Sequence, residues 1–144
     1  MKVVIQRVNK AVLTCQDYKS EINKGLVVYF GVELEDLAEK TNILAKKIAK
    51  LRIFEDDNGK MNLSVLDIKG EVLAVSQFTL LADCSGGNRP SFSKAEKPER
   101  ANKLYEKFVD DLKNCGIDVK KGVFGGDMNI LQENIGPVTI TYEV

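Results

Sequence analysis

Histidine is absent from the 144 residues, and that absence removes a large part of hydrolytic chemistry. Ser-His-Asp and Cys-His mechanisms need an imidazole as general base. Hydrolysis by this chain must therefore use another group, the substrate itself or positioned backbone. Cysteine is scarce as well: Cys15, Cys84 and Cys115 are widely spaced and form no CxxC pair. Without histidine to complete a ligand set, no zinc site of the usual kind is expected, and no other metal or cofactor is called for. Unpaired thiols suit the cytosol.

Long apolar runs are missing too. The longest, residues 25–32, falls far short of the roughly 20 residues that cross a bilayer. The opening Met1-Lys2-Val3-Val4-Ile5-Gln6-Arg7 has no secretion-signal pattern, so a cytoplasmic protein with no membrane partner is expected. Nor does charge of one sign dominate, since 21 basic residues face 21 acidic ones. A non-specific DNA binder is normally basic, so DNA is not an expected partner, although a local patch can still hold RNA.

What is present fits one domain, residues 1–144, with 44% hydrophobic and 29% charged residues. Residues 3–8 and 11–15 read as strands joined tightly at Asn9-Lys10. Residues 26–32 read as a strand covered on both faces. Asp36 followed by Glu39 has the spacing of an acidic capping box. It opens a helix whose Leu37, Thr41, Leu44, Ala45 and Ile48 share one face. Asp57-Asn58-Gly59 turns a short hairpin between residues 52–54 and 61–63.

Residues 71–80 read as a further strand. Pro98 starts a second helix with an apolar stripe of Ala101, Leu104, Tyr105, Phe108, Val109 and Leu112, stopped by Gly116. Residues 117–124, 128–132 and 138–144 return to strands. The pattern implies an α+β class: mainly antiparallel, barrel-like β-sheet with two amphipathic helices packed against it.

Two segments carry more polar chemistry than packing requires. Ser76-Gln77-Phe78-Thr79 gathers hydroxyls, an amide and backbone N–H groups at a strand end; a half-buried strand with polar residues facing water accounts for it equally. Gly136-Pro137 precedes the last strand, where proline costs least. A rigid corner with exposed carbonyls lining a ligand pocket is the alternative, and sequence alone favours a trans bond there. Gly125-Gly126-Asp127-Met128 reads as a turn. Arg89, Lys94, Lys97, Arg100 and Lys103 form a basic run, ordinarily a solvated face but able to meet phosphates. Cys84 has no base beside it.

Five segments occur in a set order: Gln6-Arg7-Val8, Gly59-Lys60-Met61-Asn62-Leu63, Ser76-Gln77-Phe78-Thr79-Leu80, Arg89-Pro90-Ser91-Phe92-Ser93-Lys94 and Gly136-Pro137-Val138-Thr139. Together they resemble the signature segments of D-aminoacyl-tRNA deacylases, from end to end of the chain. The resemblance implies a hydrolase of D-aminoacyl-tRNA, for chiral proofreading, extending to glycine mischarged on tRNA(Ala). It implies a homodimer with sites at the subunit interface. A cis Gly136-Pro137 then enters the partner's pocket, where backbone rejects L-residues.

The resemblance further assigns Arg7 to support of that corner, and Ser76, Gln77, Phe78 and Thr79 to the scissile ester. Phe124 and Met128 would take the 3′-terminal adenosine. Three positions depart from the pattern: Gly126 stands where alanine is expected, Ile135 where an acid is common, and Lys97 where a helix cap is usual. An aminoacyl ester is already reactive and its neighbouring 2′-hydroxyl can assist water, so Gln77 and nearby backbone need only stabilise the oxyanion. Thr79 as nucleophile is the rival mechanism. The rival functions are a non-catalytic aminoacyl-tRNA-binding module and a small-molecule esterase.

Overall fold

The computed structural model describes residues 1–144. The elements run β1 (Lys2–Cys15), β2 (Tyr18–Ile22), β3 (Gly25–Gly31), α1 (Glu39–Ala49), β4 (Phe54–Glu55), β5 (Met61–Leu63), β6 (Glu71–Ser76), α2 (Pro98–Asn114), β7 (Asp118–Lys121) and β8 (Asn129–Glu143). A 3-10 turn, Phe78–Leu81, follows β6.

β1 organises the sheet. Its first half pairs antiparallel with β3 and its second half with β2, while β8 lies antiparallel along nearly all of it. The two expected strands at 3–8 and 11–15 are therefore one. Asn9 and Lys10 are exposed where the β1–β8 register shifts, so the chain bulges and bends there instead of turning back. β8 likewise runs unbroken through Gly136 and Pro137, where a break between two strands was expected.

The β3–β6 and β6–β7 pairs are parallel, which makes the mainly antiparallel sheet a mixed one. Its order is β2-β1-β3-β6-β7, with β8 on β1. The Tyr18 hydroxyl of β2 donates to the Lys121 carbonyl of β7 at 2.7 Å and draws the sheet into a nearly closed barrel.

β3 is apolar on both sides because both sides are covered. Leu26, Val28 and Phe30 join the core under the helices, and Val27 joins a second cluster inside the barrel. β6 divides the same way, Val72 and Ala74 outward and Leu73 and Val75 inward. Each fully buried side chain of this size contributes roughly 1.5–3 kcal/mol. α2 begins at Pro98, and its Phe108 ring stacks on Phe30 with centroids 4.4 Å apart. Gly116 ends it with a left-handed φ of 91°.

α1 begins differently from the expected capping box. Ala38 holds the cap position without a side-chain bond. The Asp36 carboxylate is buried and accepts instead from the Met1 amine at 2.6 Å, the Glu33 amide at 2.8 Å and Lys40 at 2.6 Å. It ties the start of β1 to the segment before α1. Thr41, Leu44, Ala45 and Ile48 face the core, whereas Leu37 precedes the helix and is 54% exposed. The strand expected over 71–80 stops at Ser76, and that expected over 117–124 is only Asp118–Lys121.

At Gly25 the backbone of β6 leaves no room for a side chain on β3. A Cβ there would lie 1.9 Å from the Glu71 carbonyl oxygen. Gly25→Ala should therefore cost about 2–3 kcal/mol in urea denaturation, the upper range for overpacking; a loss under about 0.5 kcal/mol would show that the pair can part without penalty.

Candidate active site

A cleft of about 680 Å³ opens where β6 ends, between the start of α2 and residues 122–128. Phe30 and Tyr105 reach it from the core. The Tyr105 phenol donates to the Ala74 carbonyl at 2.8 Å, and burial pushes its pKa far up, so it is a neutral donor with its proton committed. Ser76, Gln77, Phe78, Phe124 and Met128 all line this cleft. Five residues named from sequence, from two distant segments, thus meet in one place.

Gln77 extends the β3 ladder by one bond, its amide donating to the Phe30 carbonyl at 2.8 Å. It then turns into the 3-10 helix with φ −148° and ψ 87°. The amides of Phe78 and Thr79 open that helix and so have no acceptor within it. The Thr79 hydroxyl accepts a hydrogen bond from the Gln77 side-chain amide. Thr79 itself does not line the cleft. Two carboxylates do, Glu96 and Asp127, and Glu96 is paired with Arg100.

One wall was not foreseen. Phe92 lies edge-on to Phe78, with ring centroids 4.9 Å apart. It is held there by a latch around Asp83, whose backbone pairs with Ser91 while its carboxylate takes the Ser85 hydroxyl at 2.7 Å and Lys94 at 3.3 Å. Phe92 belongs to the segment Arg89–Lys94 that carries the family resemblance, but the sequence assigned it no place at the cleft.

Gly136-Pro137 is cis, exposed, and does not line this cleft. Arg7, 4% exposed, braces it: Nε donates to the Ile135 carbonyl at 3.3 Å and Nη1 to the Ile53 carbonyl at 2.6 Å. A Cβ on Gly136 would stand 2.9 Å from Arg7 Nη2. Because Arg7 uses a carbonyl of Ile135, the missing acid at that position does not unseat the corner.

The 122–128 wall is packed by sulfur. A Cβ at Gly122 would meet Met128 Sδ at 2.6 Å, and one at Gly126 would meet Cys15 Sγ at 2.7 Å. The glycine at 126 is thus matched to a bulky neighbour at 15. All three cysteines are free thiols.

The family model described as D-Tyr-tRNA(Tyr) deacylase matches residues 4–143. A D-aminoacyl-tRNA deacylase of Macrococcus caseolyticus is 51% identical over 143 residues, covering 99% of this chain and 95% of the relative. That of Aquifex aeolicus is 52% identical over 141 residues, covering 97% and 95%. Among solved structures, a c-Myc DNA unwinding element binding protein superposes with a TM-score of 0.91 at 39% identity, over 100% of this chain and 99% of the other. A probable eukaryotic D-amino acid tRNA deacylase shares the fold with a TM-score of 0.86 at 17% identity, over 99% and 98%.

Two outcomes test the walls. Gly126→Ala alone should cost about 1–2 kcal/mol. Joined to Cys15→Ala, which removes the sulfur, the pair should fall short of additivity by about 1 kcal/mol in urea melts; strict additivity would deny the contact. The latch should titrate late, because the Ser85 hydroxyl and amide and then Lys94 lower the Asp83 carboxyl from 3.8 to about 2. Its contribution is complete above the ordinary value and is lost as pH falls through about 2. An NMR titration of Asp83 with its midpoint at the ordinary value would contradict this.

Proposed function

The chain belongs to the D-Tyr-tRNA(Tyr) deacylase family, and on that premise we propose that its cleft hydrolyses the ester of D-aminoacyl-tRNA, releasing the free D-amino acid and tRNA. One observation carries the reading: Ser76, Gln77 and Phe78 share a single cleft with Phe124 and Met128. The terminal adenosine sits against Phe124 and Met128, and its ester reaches the end of β6.

Water attacks the ester carbonyl, assisted by the 2′-hydroxyl of the same ribose. The bond to the ribose oxygen breaks, and that oxygen takes the proton. The Phe78 amide, with the Gln77 side chain, stabilises the oxyanion, each such donor contributing about 3 kcal/mol in a well-positioned site. Thr79 is not the nucleophile in this scheme. Its hydroxyl is bonded to a neutral amide, and no imidazole exists to deprotonate it.

Chirality is read by backbone. The exposed Gly136-Pro137 corner enters the cleft of a second copy, where its main chain leaves no room for an L-side chain. A homodimer with sites at the subunit interface is supported by β8, which pairs only with β1 and shows Leu131 78% exposed. Selection by main chain makes the side-chain range broad and admits glycine, including glycine on tRNA(Ala). Work on charged tRNA places the protein in the cytoplasm.

Purified protein should clear D-tyrosyl-tRNA at least about tenfold faster than L-tyrosyl-tRNA, and light scattering should give twice the 16.0 kDa chain mass. Equal decay would sink the chiral reading, and stoichiometric binding without release would make the chain a holding module. Thr79→Ala should keep its rate within about fivefold, whereas a tRNA ending in 2′-deoxyadenosine should lose about a hundredfold. An inactive but folded Thr79→Ala would restore the threonine as nucleophile.

A further inference from the structure

Lys97 is the one basic residue lining the cleft. Its neighbours in sequence are matched: Lys94 pairs with Asp83, and Arg100 with Glu96. Lys97 has no carboxylate partner. It also occupies the cap position of α2, a 17-residue helix, where Ser, Thr, Asp or Asn would add about 1 kcal/mol through a side-chain bond that Lys97 does not make.

Glu96 covers part of that loss. Its side chain, 7% exposed, accepts from the Lys97 amide at 2.8 Å and from Arg100. Arg100 in turn donates to the Asp36 carbonyl at 2.6 Å, which fixes the pair against the segment before α1. The Glu96 charge is thereby matched by Arg100, and the Lys97 ammonium stays unclaimed at the edge of an otherwise largely apolar cleft.

We propose that Lys97 binds a phosphate of the single-stranded 3′ end of the RNA, the one that joins the terminal nucleoside to its neighbour. This rests on the deacylase reading of the cleft. A nucleoside seated against Phe124 and Met128, with its ester at Ser76 to Phe78, must lead its chain out across the rim. The first group along that path is an anionic phosphodiester, and Lys97 is the only cation lining the cleft that could meet it. Asp127 also lines the cleft and has no ion-pair partner. It repels the phosphate, so the RNA leaves on the α2 side, where the helix dipole adds to the attraction.

Two substrates separate this role from a structural one: D-tyrosyl-tRNA, and D-tyrosyl-adenosine, which lacks the phosphate. On the tRNA at low salt, Lys97→Gln should raise KM roughly fivefold with kcat unaltered, the effect of one solvent-screened ion pair. The slope of log kcat/KM against log salt should shrink by about 0.7, the share of one phosphate on a single strand. On D-tyrosyl-adenosine the KM effect should drop to within about twofold, and Lys97→Arg should restore binding of the tRNA. Equal losses on both substrates, or an unchanged salt slope, would overturn the proposal. Wild-type protein that cleaves neither substrate would overturn the deacylase reading itself, and this proposal with it.

Discussion

β6 is held by β3 along its whole length, to the pair Phe30–Ser76, but by β7 only as far as Ala74–Lys121. After one more bond, from the Gly122 amide to the Ala74 carbonyl at 2.9 Å, the chain beyond β7 leaves the sheet. That unequal pairing makes the cleft. Three parallel strands finish near one another at their carboxyl ends, and the chain just beyond two of them, 77–78 and 124–128, lines the cleft. Ligand sites in open parallel sheets arise at strand carboxyl ends for the same geometric reason. Here three strands suffice, because β3 and β6 are buried on both faces and cannot shift to close the gap.

A cleft built this way can do chemistry without a titrating base. The backbone beyond Ser76 is anchored by the ladder bond of Gln77 to Phe30, and in the proposed reaction a donor fixed in this way needs no reorganisation as charge develops. Two ion pairs stand beside the cleft, Asp83 with Lys94 and Glu96 with Arg100. Each pair fixes a segment of cleft wall. An ester that hydrolyses readily needs placement more than activation, and placement is what a doubly buried sheet and two ion-paired loops supply.

The fold was legible in the sequence wherever one residue pattern had one physical explanation. The continuous apolar run of β3 has both faces covered, and Pro98 followed by an apolar stripe sets where α2 begins and what it buries. It was not legible where a local pattern has two uses. Asn9-Lys10 looks like a turn, yet two exposed polar residues serve equally well at a bulge in a strand that exchanges one partner for another. Asp36 has capping-box spacing, but its carboxylate has a stronger partner in the Met1 amine, a contact between segments that no local pattern contains. At the site, the polar cluster at 76–79 was readable. Phe92 was not, since its place depends on the Asp83 latch. Gly126 read as a departure becomes intelligible beside Cys15, which fills the space that an alanine methyl would need.

The corner at Gly136-Pro137 raises a different question, because one chain carries it away from its own cleft. Arg7 is buried to brace it, with hydrogen bonds to Ile135 and Ile53 and a more distant charge at Glu55, 3.9 Å away. Burying a guanidinium is unfavourable unless its donors are satisfied, and such an arrangement would be an odd way to hold a loop that met only water. A corner so braced keeps its shape, as the proposed docking against another surface requires. In the proposed homodimer that surface is the partner's cleft. Two-fold symmetry then completes both sites by one contact repeated, corner into cleft and cleft onto corner. Selection and hydrolysis would thus come from different chains at each site, so whatever separates the subunits removes both together, even with every residue of the cleft in place.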